Sequence, residues 1–126
     1  MLRSLELFLD TLNYPLNIGR RGTPKWGMDQ VTTTSLTYVT IVSWTPATGH
    51  KGYLEEIAVQ SADFTKVQVQ VTVNDTVVFT DKTPLSGVSA PFRGLLIEEA
   101  KDVKIEVKSS DGTSITVAGS IVGREI

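Results

Sequence analysis

Proton transfer near neutral pH usually recruits histidine, and this chain has one, His50. His50 sits in the turn from Gly49 to Gly52, where a plain solvent-facing loop residue is the expected reading. A serine or threonine nucleophile would need that same histidine, and no Gly-x-Ser-x-Gly elbow is present. A cupin-type metal site normally draws on several histidines, which this chain lacks. Adjacent acids occur at Glu55-Glu56 and Glu98-Glu99, but neighbours on a strand point to opposite faces and cannot share a substrate without a bulge. The aspartates Asp63, Asp75, Asp81, Asp102 and Asp111 lack the dense Asp-x-Asp-x-Asp-Gly spacing of a calcium loop and read as turn formers. With no cysteine, disulfides, thiolate metal sites and a cysteine nucleophile are excluded. The chain is therefore expected to be no enzyme, with no catalytic residue, metal or cofactor.

What remains is binding. Gly19-Arg20-Arg21-Gly22 lacks the downstream lysine of a phosphate loop, although its arginines suit phosphates or an acidic protein surface. A net charge of −2 gives no bulk attraction to nucleic acid, so that partner is not expected. Trp26, Trp44, Tyr38 and Tyr53 could form a sugar-stacking platform, but such aromatics more often fill a core or anchor an interface. Trp26 stands out because it lies in a Gly/Pro-rich stretch that offers it no obvious place of burial.

A chain of 126 residues, 40% hydrophobic and 21% charged, fits one domain able to bury its own core. Val and Thr recur throughout, pointing to an all-β class. No apolar run reaches the ~20 residues of a membrane span. The apolar tint of Met1 to Leu12 is broken by Glu6 and Asp10, with no small-residue cleavage site after it, so no secretory signal and no membrane are expected.

Within Ser4 to Leu12, Leu5, Phe8, Leu9 and Leu12 keep helical spacing while Leu5, Leu7 and Leu9 alternate as a strand would. A short helix or turn is preferred. Asn17 to Thr34, with Gly19, Gly22, Pro24 and Gly27, reads as extended and non-periodic, better placed on a neighbouring molecule than inside a compact domain. Residues 1–34 are thus assigned to an N-terminal arm and residues 35–126 to a β-sandwich.

In that second part, Leu36 to Trp44 and Tyr53 to Gln60 read as strands. Lys66 to Asn74 alternates most clearly, with Val67, Val69, Val71 and Val73 on one face. Asn74-Asp75 predicts a two-residue hairpin into Val77 to Thr80, and Thr83 to Gly94 reads as a long loop. Val103 to Val107 and Ile115 to Ile121 are read as a second hairpin about Asp111-Gly112, with Gly119 marking a bulge or a close backbone approach. The expected fold is an antiparallel two-sheet sandwich of six to eight strands, jelly-roll-like, preceded by the arm.

The Gly-containing arm up to Gly27, the run from Gly52 to Val59 and the ending Val103 to Gly123 about Ser110-Asp111-Gly112 resemble, in layout, small jelly-roll and β-sandwich virion proteins of tailed phages and archaeal viruses. The resemblance covers roughly the last three-quarters of the chain as architecture. It implies a capsid-decoration or minor structural protein, a trimer or other symmetric oligomer on a larger shell, assembled in a host cytoplasm and residing in the virion. An arm that cannot bury itself gains order on a partner, so Leu5, Phe8, Leu12, Tyr14, Ile18, Arg20, Arg21 and Trp26 are the candidate interface residues, and deleting residues 1–27 should leave a folded domain that fails to assemble. A carbohydrate-binding sandwich is the competing expectation.

Overall fold

The computed structural model describes residues 22–126; the candidate helix and the interface residues Leu5 to Arg21 lie outside them. Eight strands form: β1 (Thr23–Thr33), β2 (Val39–Trp44), β3 (Gly52–Gln60), β4 (Val67–Val73), β5 (Thr76–Lys82), β6 (Val88–Ile97), β7 (Val103–Ser109) and β8 (Ile115–Glu125). They make two four-stranded antiparallel sheets, ordered β1-β8-β3-β6 and β2-β7-β4-β5. Only β4–β5 is a hairpin within one sheet; every other connection crosses between the layers. That is the winding of an eight-stranded jelly roll.

Period-two patterning builds the core. Val67, Val69, Val71 and Val73 of β4 and Val103, Ile105 and Val107 of β7 face Leu54, Ile57 and Val59 of β3 and Ile115, Val117 and Ile121 of β8, all buried. The strands β7 and β8 are central, so their inner residues have neighbours on every side.

Three readings from the sequence are corrected. Thr23–Thr33, assigned to the arm, is β1 and pairs with β8 without interruption from Thr23↔Glu125 to Thr33↔Ile115. Pro24, Gly27 and Asp29 disguise it, yet an edge strand tolerates a proline, and Gly27 leaves room for Val42, whose Cγ2 would lie 2.9 Å from an added Cβ. The stretch read as a loop at Thr83 to Gly94 contains most of β6, another edge strand, whose register against β3 breaks between Leu54 and Glu56 where Arg93 and Gly94 take positive φ. The chain does turn at Asp111-Gly112, with Gly112 at φ 86°, but β7 and β8 lie in different sheets, so the turn is a corner between layers and not a hairpin. The buried Ser109 hydroxyl ties that corner, donating to Thr113 O at 2.7 Å and accepting from Gly112 N at 3.0 Å.

Other turns behave as read. Asn74 and Asp75 take φ 52° and 59°, the left-handed pair a tight hairpin requires. The Asp63 carboxylate accepts from the backbone N–H of Thr65, and the Asp111 carboxylate accepts from Thr113 N at 3.0 Å while facing Lys66 at 3.0 Å. Gly119 marks a close approach: an added Cβ would stand 3.3 Å from Ile41 Cγ2. At the far end of the same inward row, Trp44 lies over Gly52 and Gly123 and donates Nε1–H to Glu125 at 2.9 Å. Glu125, buried, also accepts from Ala47 N and faces Lys25 at 3.9 Å.

Two outcomes follow from this packing. A Cβ on Gly123 would meet the Trp44 ring and the immovable Tyr53 carbonyl, each at 2.8 Å, so Gly123→Ala should lower the free energy of unfolding in urea by about 1–3 kcal/mol, while Gly87→Ala, with nothing nearer than 3.5 Å, should change it by less than ~0.5 kcal/mol. Asp111 is held down to about 2 by its hydrogen bonds from Thr113 and then by Lys66. A folded-state value below the unfolded one stabilises above the unfolded pKa, and that contribution is lost as pH falls through the folded value. Urea midpoints should therefore drop between about pH 4 and pH 2, and drop less in Asp111→Asn; an unchanged acid profile in that variant would refute the assignment.

Candidate functional site

The groups that sequence reading singled out for chemistry do not converge. His50 is exposed in its turn, its backbone N–H bonded to Ala47 O at 2.9 Å. A shallow hollow beside it includes Glu98 and Glu99, but the Glu99 carboxylate accepts from Gly49 N at 3.0 Å, a loop tether. At Glu55-Glu56 the bulge does occur, yet Glu55 is half-buried while Glu56 is exposed and accepts the Ser89 hydroxyl. No cluster of three or more His, Asp or Glu suited to a metal exists among the described residues.

The four aromatics also separate. Trp44 packs between the layers. Tyr38 lies on the outer face of β2-β7-β4-β5, its hydroxyl donating to Asp81 at 2.6 Å and accepting from Asp81 N at 2.7 Å, with Lys108 Nζ 4.6 Å from its ring centre. Trp26 and Tyr53 belong to the other sheet, opposite Val122 and Leu96 respectively. No flat platform gathers them.

A contrast between the two outer faces carries more information. The outer face of β2-β7-β4-β5 is a polar mesh: Lys108 pairs with Asp81 at 3.0 Å, Lys104 with Glu106 at 3.9 Å, Gln70 bridges Glu106 to Thr80, and Tyr38 spans from β2 to β5. Hydrogen bonds to Tyr38 and to Lys108 hold the Asp81 carboxyl below its ordinary range. Such a face suits water. On β1-β8-β3-β6 a transverse row of register partners runs Met28–Ser120–Ala58–Ser89, all uncharged, with Glu56 held by Ser89 at its β6 end and a trough at Ala118 and Gly119 beside it. Beside it Trp26 is 74% and Met28 72% exposed. Large apolar side chains beside an uncharged, small-residue trough are the composition of a protein contact.

A second apolar feature lies at the edge where β5 and β6 end their sheets. A cleft of about 270 Å³ opens there between the layers, floored by Ile57, Val59, Val69 and Val71 and rimmed by Phe79, Val88 and Pro84. Phe79 shares a register with the inward Val71, yet is 46% exposed. Lys82, paired with the inward Val69, is the sole charged side chain lining the cleft. All of β5 is exposed. Sequence reasoning missed this edge; the consecutive Val77, Val78 and Phe79, which break the alternation, are the signal that marks it.

Of the eight candidate interface residues, Trp26 alone falls in the described structure, outward-facing on an edge strand. Leu5, Phe8, Leu12, Tyr14, Ile18, Arg20 and Arg21 lie before it.

No protein-family model and no curated protein matches the chain. Among solved structures, a chain of the atomic structure of Sulfolobus turreted icosahedral virus is similar at TM-score 0.53 and 18% identity, over 82% of the present chain and 29% of that chain. The crystal structure of FLHE is similar at TM-score 0.44 and 9% identity, over 82% and 99%. A chain of infectious bursal disease virus, Gt strain, gives TM-score 0.40 and 13% identity, over 79% and 32%. The present chain thus spans less than a third of the turreted-virus chain, and the likeness is one of fold. The architectural resemblance to virion proteins read from the sequence is present in the structure.

Proposed function

We propose that this protein is a structural component of a virion, a capsid-decoration or minor structural protein that associates with copies of itself, as a trimer or another closed symmetric oligomer, and seats on a larger protein shell. The observation that carries this reading is the unequal pair of outer faces: one sheet is meshed in ion pairs and hydrogen bonds, while the other presents Trp26 and Met28 beside an uncharged trough. The fold likeness to a chain of Sulfolobus turreted icosahedral virus agrees with it. The reading includes no catalysis, nucleic acid or saccharide. The aromatics that would stack a sugar are dispersed over two outer faces and the interior, and the charge balance of −2 does not favour phosphate backbones.

Under this reading the residues before Gly22 bridge subunits. The cut that tests them must fall before β1, because removal of residues 1–27 would delete half of an eleven-residue strand paired along its whole length with β8. Light scattering should show that residues 22–126 keep a cooperative, β-rich unfolding transition but lose the oligomeric mass of the full chain. Trp26→Ser in the full chain should alter stability by less than ~0.5 kcal/mol and weaken association by about tenfold or more, the size of an aromatic interface anchor. A full chain that is monomeric at tens of micromolar, or a truncated form with unchanged mass, would refute the assembly role.

A further inference from the structure

The cleft between β5 and β6 is an unfinished part of the core. Val69, Val71, Ile57 and Val59 are buried, yet they floor an opening that Phe79 and Val88 border while 46% and 44% exposed. In a closed sandwich an apolar side chain from the facing layer would occupy that space. The segment that precedes the described structure has the composition to supply it. Residues 5–12, Leu-Glu-Leu-Phe-Leu-Asp-Thr-Leu, offer five large apolar side chains, and their only charges are the acids Glu6 and Asp10. Among the described residues, Lys82 is the one charged residue lining the cleft. Apolar content and charge are both complementary.

Chain length lets the segment reach a cleft of this kind, and its exit point sets the geometry of a contact between copies. It joins the sandwich at Gly22, against Glu125 and Ile126 at the β1 edge, whereas the cleft lies at the opposite, β5–β6 edge. A four-stranded sheet is about 15 Å across, and the 21 residues before Gly22 reach up to about 70 Å when extended. A donor at one edge and an acceptor at the other join copies head to tail, and such a contact closes into a ring when its rotation permits.

We propose that the β5–β6 cleft is the socket for residues 5–12 of a neighbouring copy, with Leu5 and Leu9 filling its apolar floor and the acids Glu6 and Asp10 meeting Lys82. Leu5 and Leu9 share a side of the segment in both strand and helix periodicity, so the assignment does not depend on which it adopts. This inference rests on the assembly reading above and names where its bridging segment seats.

The absence of native cysteine makes a clean test possible. Full chains carrying Leu9→Cys alone and Val88→Cys alone are mixed and oxidised, so that a mixed disulfide between them can only join two molecules. Mass spectrometry of tryptic digests should find the disulfide-linked peptides that carry positions 9 and 88 in excess over a Leu9→Cys and Met28→Cys control on the outer face. Lys82→Glu should reduce their yield about two- to fivefold, the worth of one partly exposed charge pair, and Glu6→Lys together with Asp10→Lys should restore it. Crosslinking that favours the Met28 position would overturn the socket while leaving the assembly reading intact. A Leu9→Cys, Val88→Cys double variant that closes only within one molecule would overturn the neighbouring copy as donor. No mixed crosslink at either position, in a full chain that light scattering shows to be oligomeric, would overturn the socket; the same result in a monomeric chain would overturn the assembly reading with it.

Discussion

Each of the two sheets has one face that must be hidden from water, and the only surface available to hide it is the inner face of the other. Everything else in the molecule follows from that mutual burial of valines and isoleucines. Val103, Ile105 and Val107 on β7 and Val117 and Ile121 on β8 are fully or almost fully buried because those two strands are central in their sheets. At ~25 cal/mol per Å² of apolar surface, such a row outweighs any surface ion pair by a wide margin. The chain alternates between layers at almost every connection, so the strands that carry the core are far apart in sequence and the fold is held by non-local contacts.

Small residues permit that burial at its ends. Trp44 is too large to face another large side chain across the layers, and Gly52 and Gly123 give its ring a place to lie. Glu125 then has a function in an otherwise apolar row: it takes the indole N–H, the Ala47 N–H and a distant Lys25, so a buried carboxylate is satisfied from several directions. The same geometry anchors β1, the strand most poorly suited by composition to be one.

How much was legible follows from where each strand lies. For β3, β4, β7 and β8 one or both faces are core, so alternation writes them into the sequence. The edge strands β1 and β6 make fewer demands on side chains, and Pro24, Gly27, Pro91 and Gly94 erase the pattern. Asp111-Gly112 announced a reversal of the chain correctly, but a local turn signal cannot tell a hairpin from a corner between layers; only the pairing of Val107 with Val39 and Val69, and of Ile121 with Gly27 and Ile57, decides that. Trp26 lies on a paired strand and not in an irregular arm, and it is exposed there. Of the β5–β6 cleft only the broken alternation at Val77 to Phe79 is legible, because the opening itself depends on how far the two sheets part at one edge.

The two edges of the sandwich are treated differently, and that difference has consequences for association. Exposed strand edges invite unwanted pairing unless something blunts them. Along β5 the register against β4 shifts once between Lys82 and Phe79 and again between Phe79 and Val77, while Asp81 takes φ 53° and is tied to Tyr38, and Lys82 adds a charge. Val77, Val78 and Phe79 stay about half exposed, and Phe79 borders the cleft. A long flat strand would be rejected by the shifted register, whereas the short segment proposed above, apolar with acids beside it, needs no continuous pairing along this edge.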